Sequence, residues 1–192
     1  MQKTRLEAFT DGVVAIIVLE LKVPEENTLA GVLAVTPVFL AYALAFTNVG
    51  LYWNNHHHML HAAEHINGKV LWANLFLLFW LSLIPFVIRW MDEGQFASMP
   101  TAAYGVVLAL AGAGYTVLER ALIAANPHRP LLAQAVGADR KGLLSMLAYL
   151  VAIPLAFVSP WIAIAIYVAV ALSWLIPDRR IERVLAVPKA ND

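Results

Sequence analysis

Four long stretches of this chain carry no formal charge, and they leave few architectures open to it. No Asp, Glu, Lys or Arg occurs from residue 28 to residue 55, and Val70 to Ile88 is uncharged over 19 residues. Gln95 to Leu118 adds 24 such residues, and Gly142 to Pro177 adds 36, interrupted only by Ser159-Pro160. An apolar helix of about 20 residues, rising 1.5 Å per residue, matches the roughly 30 Å hydrocarbon core of a bilayer. No soluble core needs so many long runs in 192 residues. The chain reads as an all-α, polytopic membrane protein, and its function is one performed within or across a bilayer.

Composition narrows the function further. Hydrophobic residues make up 61% and charged residues 14%, the latter about half the share usual in soluble domains. The formal net charge is zero, so nothing points to nucleic acid as a partner. Without cysteine there are no disulfides and no thiolate chemistry. The polar stretch from Met1 to Asp11 has no cleavable signal pattern. Residues 1–192 read as one membrane domain.

Six transmembrane helices are expected. The first covers about Arg5 to Lys22. The second starts after Pro24-Glu25-Glu26-Asn27, with Thr28 as N-cap, and continues past Trp53. The third runs from about Asn67 to Met91, and the fourth from Ala97 to Ala125, ending before Asn126-Pro127. Arg140 to Val158 and Trp161 to Ile176 form a closing hairpin. Pro37, Pro85 and Pro154 fall inside these helices, where neighbours can satisfy the freed carbonyls.

Basic residues set the orientation. An even number of spans puts both termini on one side. That side collects Lys3, Arg5, Lys69, Arg120, Arg129, Arg140, Lys141, Arg179, Arg180, Arg183 and Lys189, and leaves only Lys22 and Arg89 opposite. Eleven against two is a positive-inside signal that places both termini in the cytoplasm. Trp53, Trp72, Trp90, Trp161 and Trp174 lie near predicted helix ends, as interfacial anchors should.

Helix 1 differs from the others. Asp11 lies inside it and Glu20 near its far end, so only the eight residues Gly12 to Leu19 are uncharged, about 12 Å of helix. Acidic groups at that depth are costly against lipid, so they are expected to face a bundle interior or a wet path. An interfacial amphipathic segment is the plainer alternative.

The string Arg5-Leu6-Glu7-Ala8-Phe9-Thr10-Asp11 resembles the RxxxF(S/T)D signature that opens the lysosomal and prokaryotic potassium-channel family called transmembrane protein 175. Tyr52-Trp53-Asn54-Asn55-His56-His57-His58 looks like the end of that family's helix 2. Trp72-Ala73-Asn74-Leu75 through Leu83-Ile84-Pro85-Phe86 looks like its helix 3. The resemblance implies a homotetramer of six-helix subunits in a prokaryotic plasma membrane, with helix 1 of each lining a central pore for potassium ions. It implies no cofactor and no metal site beyond the permeating ion, and no enzyme activity. Apolar helix 1 side chains form the family's constriction, which maps to Ile16, with Leu19 and Glu20 beyond it. Arg5, Phe9, Thr10 and Asp11 brace helix 1, and two of His56, His57 and His58 are expected to contact its base, near Trp53 and Asn74. The family's longer apolar run is shortened here by about one turn between Ile16 and Val18. Leu19 and Glu20 therefore stand where a threonine and a leucine are usual.

Five of the six histidines fall between His56 and His65. Continued as a helix, they place His57, His61 and His65 on one face beside Glu64, a spacing that can bind zinc. The ordinary alternative is a polar interface, which could respond to protons because His titrates near neutral pH. Gly105, Ala109, Gly112, Ala113 and Gly114 form a small-residue stripe suited to close helix packing. Asn48, Asn54, Asn55 and Asn74 are expected to bond across helices. No nucleophile elbow or phosphate loop is present. Outside the channel class stand a secondary transporter coupling through Asp11 or Glu20 and a metal-dependent membrane enzyme whose histidines converge with carboxylates, and a shortened helix 1 also permits a non-conducting relative.

Overall fold

The computed structural model describes residues 3–17, 24, 26–128 and 140–175. Among them are eight helical segments and no strand. These are α1 (Lys3–Ile17), α2 (Leu29–Ala34), α3 (Thr36–Ala62), α4 (Gly68–Ser82), α5 (Ile84–Glu93), α6 (Ser98–Ala125), α7 (Arg140–Leu155) and α8 (Pro160–Leu175).

Local chemistry explains the boundaries. The Thr28 side chain accepts from Gly31 N at 3.1 Å, capping α2 as the sequence suggests. Asn67 does the same for α4, accepting from Val70 N at 3.1 Å. Pro37 and Pro85 do more than bend their helices. Each sits in the first turn of a new segment, and the ladder is interrupted at Val35 and Leu83. Proline lacks the N–H that would bond one turn back, and its ring crowds that carbonyl. Thus α2–α3 and α4–α5 are two rods with one break each. After α5 the backbone turns through Gln95 (φ 50°) and Phe96 (φ 57°). Phe96 is then stacked on Trp161 at 5.5 Å, which ties this turn to the start of α8. The closing hairpin ends its first helix at Leu155 rather than Val158, just after Pro154.

The α6 helix is the centre of the bundle, packing against α4, α5, α7 and α8, while α1 lies against α3 and α4. Its small-residue stripe permits this. A Cβ on Gly114 would stand 3.0 Å from Leu77 Cα, and one on Gly105 would strike the Tyr167 hydroxyl. Tyr167 is fully buried and donates from that hydroxyl to Thr101 O at 3.2 Å. Gly105→Ala is therefore expected to displace a core side chain and break its bond, a cost of about 1–3 kcal/mol. Thermal unfolding in detergent should show a clear fall in Tm, whereas Gly50→Ala, with open space around it, should not.

Two stretches, Gly68–Glu93 (26 residues) and Ser98–Ala125 (28 residues), are long and apolar enough to cross a bilayer on their own. Only 44% of each apolar window is covered by the rest of the chain. The remainder presents large apolar side chains outward, including Trp72, Phe79, Phe86 and Val117. Such a surface needs lipid or further protein against it. Helix 1 was expected to reach Lys22; the described helix ends at Ile17, and Leu19 and Glu20 lie outside the described residues, as do Arg129 and Arg179 to Lys189.

Candidate functional site

The inner face of α1 carries Lys3, Leu6, Thr10, Val13 and Val14, spaced so that they fall on one side of a helix. Leu6 and Thr10 are both 2% exposed, wedged against α3 and α4. The polar contacts around Thr10 are specific. Asn74 Nδ2 on α4 donates to Thr10 Oγ1 at 3.2 Å, and Asn74 Oδ1 lies 2.6 Å from His56 Nε2 on α3. With the amide nitrogen committed to Thr10, the oxygen must accept, so His56 carries its proton on Nε2 and donates. Asn74 is 0% exposed and His56 4%. One amide thus links three helices where water cannot substitute.

Asp11 is held one residue further on, where Trp53 Nε1 donates to Asp11 Oδ1 at 2.8 Å. The Trp53 ring stacks on His57 (5.9 Å), which stacks in turn on His61 (6.2 Å) and meets His58 edge-on (5.8 Å). At the start of α1, Lys3 Nζ donates to His61 O at 3.0 Å. That bond satisfies one of the carbonyls left open at the α3 C-terminus.

Thr10, Asp11, Trp53, His56 and Asn74, all singled out from the sequence, therefore meet in one place. Of the three adjacent histidines, only His56 joins the buried hydrogen-bond chain, and it reaches Thr10 through Asn74. Among the described residues His57 is linked to α1 by way of Trp53, and His58 through His57. Arg5 and Phe9 do not join this network. Both are exposed on the opposite side of α1, together with Gly12. Of the signature residues, Thr10 and Asp11 make hydrogen bonds to α3 and α4 among the described residues.

The zinc arrangement does not form. The α3 helix stops at Ala62, so His65 leaves the face shared by His57 and His61. Among the described residues there is no cluster of three or more His, Cys, Asp or Glu side chains that could hold a metal. What stops α3 is Asn126, which accepts from Glu64 N (2.9 Å) and His65 N (2.7 Å) and donates to His65 O (3.0 Å) and Leu122 O (2.9 Å). In the sequence Asn126-Pro127 signals only the end of α6. Its second task, pinning the α3–α4 loop, left no local trace.

Long apolar rods around a central helix, an apolar exterior and a first helix fastened by buried polar side chains define an all-helical, polytopic membrane protein. The family profile described as endosomal/lysosomal potassium channel TMEM175 matches residues 5–85, which include Thr10, Asp11, Trp53, His56 and Asn74. A potassium channel of Chryseobacterium sp. (strain P1-3) is 47% identical over 189 residues, covering 96% of this chain and 98% of that relative. A potassium channel of Chamaesiphon minutus is 29% identical over 190 residues, covering 88% and 91% of the two chains. The crystal structure of a lysosomal potassium-selective channel TMEM175 homolog from Chamaesiphon minutus shares the fold, with a TM-score of 0.77 at 24% identity over 91% of this chain and 96% of that one. This chain belongs to the TMEM175 family, a family of channels and not of enzymes.

Proposed function

We infer that the chain is the pore-forming subunit of a potassium-permeable cation channel. The observation that carries this is the division of α1 into two sides. One side is fastened to α3 and α4 by the Thr10–Asn74–His56 chain and the Asp11–Trp53 bond. The other, with Arg5, Phe9 and Gly12, is left bare by every other described element. A homotetramer would bring four such bare sides around one axis. Ile16 would then supply the narrowest ring, with Leu19 and Glu20 one turn further, as a hydrophobic constriction that gates by excluding water. Arg5 and Phe9 would line or flank the entrance below it.

Each broken rod counts as one span in this reading, so α1, α2–α3, α4–α5, α6, α7 and α8 make six. The excess of basic residues at the α1 start, the α4 start and the α6 end supports a cytoplasmic placement of both termini. The relatives are bacterial, which supports a prokaryotic plasma membrane as the location. No resident cofactor is proposed; potassium is the permeating ion.

Flux through purified protein in liposomes tests the proposal, with sodium as the paired ion. Potassium flux exceeding sodium flux is the expected result, from particles whose native mass is four chains. Equal flux of both would replace a selective channel by a general cation pore. No flux of either, from folded tetramers, would overturn the channel reading.

A further inference from the structure

The α4 and α6 helices approach most closely at Gly114, where an added Cβ would lie 3.0 Å from Leu77 Cα. Toward the α4 N-terminus the facing side chains are Ala73, Ala121 and Ala124, too short to fill the space between the two backbones. The result is an outward-facing groove of about 950 Å³. Trp72 and Phe76 form one wall and Val117 the other, and Lys69 stands at the mouth. The walls are apolar and uncovered, with Trp72 74% exposed. The cations sit at one end only. Lys69 is exposed, and so is Arg120, which follows Val117 by three residues and precedes Ala124 by four on the same side of α6.

We propose that this groove is a binding site for an anionic phospholipid of the leaflet at the α4 N-terminal end, with an acyl chain between α4 and α6 and the phosphate held by Lys69 and Arg120. The inference rests on the membrane reading of the chain. An apolar groove between helices that approach closely at Gly114, with Lys69 in its lining and Arg120 on the same side of α6, complements an acyl chain with a negative head. A net negative headgroup gains more from two cations than a zwitterionic one. Trp72, an apolar body with one N–H, suits the interfacial depth at which headgroup and acyl chain meet.

Native mass spectrometry of the full-length protein, titrated with phosphatidylglycerol and phosphatidylcholine of matched acyl chains, tests this directly. The wild type should retain phosphatidylglycerol on the order of 30-fold better, from about 1 kcal/mol for each of the two cations. Lys69→Ala combined with Arg120→Ala should remove that preference and leave phosphatidylcholine retention unchanged. Ala121→Phe, which fills the floor, should lower retention of both lipids. Both variants are compared only where oligomer mass and helical circular dichroism match the wild type; the two exposed alanine substitutions keep the test available should Ala121→Phe fail to fold. An undiminished phosphatidylglycerol preference in the double variant would overturn the proposal. So would equal retention of both lipids by the wild type. The lipid count does not depend on conduction. A protein that passes no potassium would sink the channel reading and leave this one standing.

Discussion

Ile16→Asn is expected to raise potassium flux at least about tenfold, equivalent to lowering the conduction barrier by about 1.4 kcal/mol. In the sequence of α1 Ile16 follows Phe9 by seven residues and Gly12 by four, and Phe9 and Gly12 are exposed. A ring of branched aliphatic side chains excludes water, and an ion crossing it gives up much of its hydration shell. An amide in the same place holds water and lowers that barrier. Val13→Asn, on the half-buried inner side, is the comparison. It should cost stability and leave single-channel conductance alone. Unchanged flux in Ile16→Asn would move the constriction elsewhere on α1.

Asn74→Ala should have the largest effect of any single polar substitution. It leaves the buried Thr10 hydroxyl and the His56 N–H facing an apolar gap. An unsatisfied buried donor or acceptor costs about 1–3 kcal/mol, although measured hydrogen bonds between membrane helices average only about 0.6 kcal/mol. The expected loss of about 2 kcal/mol would appear as a lower Tm in detergent. The more telling result is functional. Asn48 is equally buried and bonds Tyr104 Oη at 3.2 Å and Leu44 O at 3.0 Å, away from α1. Asn48→Ala should therefore lose similar stability while the folded protein still conducts normally. Asn74→Ala should lose flux per folded protein as well, because α1 is no longer held in register with α3 and α4. Equal flux per folded protein in the two variants would show that the Thr10 contact is structural only.

These two residues mark how far the sequence can be read. Charge-free runs reveal the rods, because burial in lipid tolerates no other composition, and Thr28 and Asn67 reveal their caps, because capping is decided within four residues. The breaks at Val35 and Leu83 were less legible. Proline removes one bond wherever it lies, but neighbouring helices decide whether a rod bends or is interrupted. The end of α3 was illegible for a sharper reason: Ala62 to Ile66 contains neither Gly nor Pro. The stop is imposed by Asn126, some 60 residues away. Residues 10, 53, 56 and 74 sit on three different helices, so no spacing rule could assemble them. Only the resemblance of three separate strings to one family did so. That resemblance also placed Arg5 and Phe9 among the braces; in α1 both are exposed, away from the Thr10 network.

The bonds that fasten α1 also bear on the order in which the protein can be made. Lys3 finds His61 58 positions later, Asp11 finds Trp53 42 later, and Thr10 finds Asn74 64 later. Synthesis delivers the N-terminus first, so α1 reaches the membrane before any of its polar partners exists. A threonine hydroxyl and an aspartate have no settled place in lipid until α3 and then α4 arrive beside them. By contrast, α7 and α8 are joined by a turn of a few residues and can pair as soon as they emerge. The helix that leaves the ribosome first is the last of its three-helix group to take its final position.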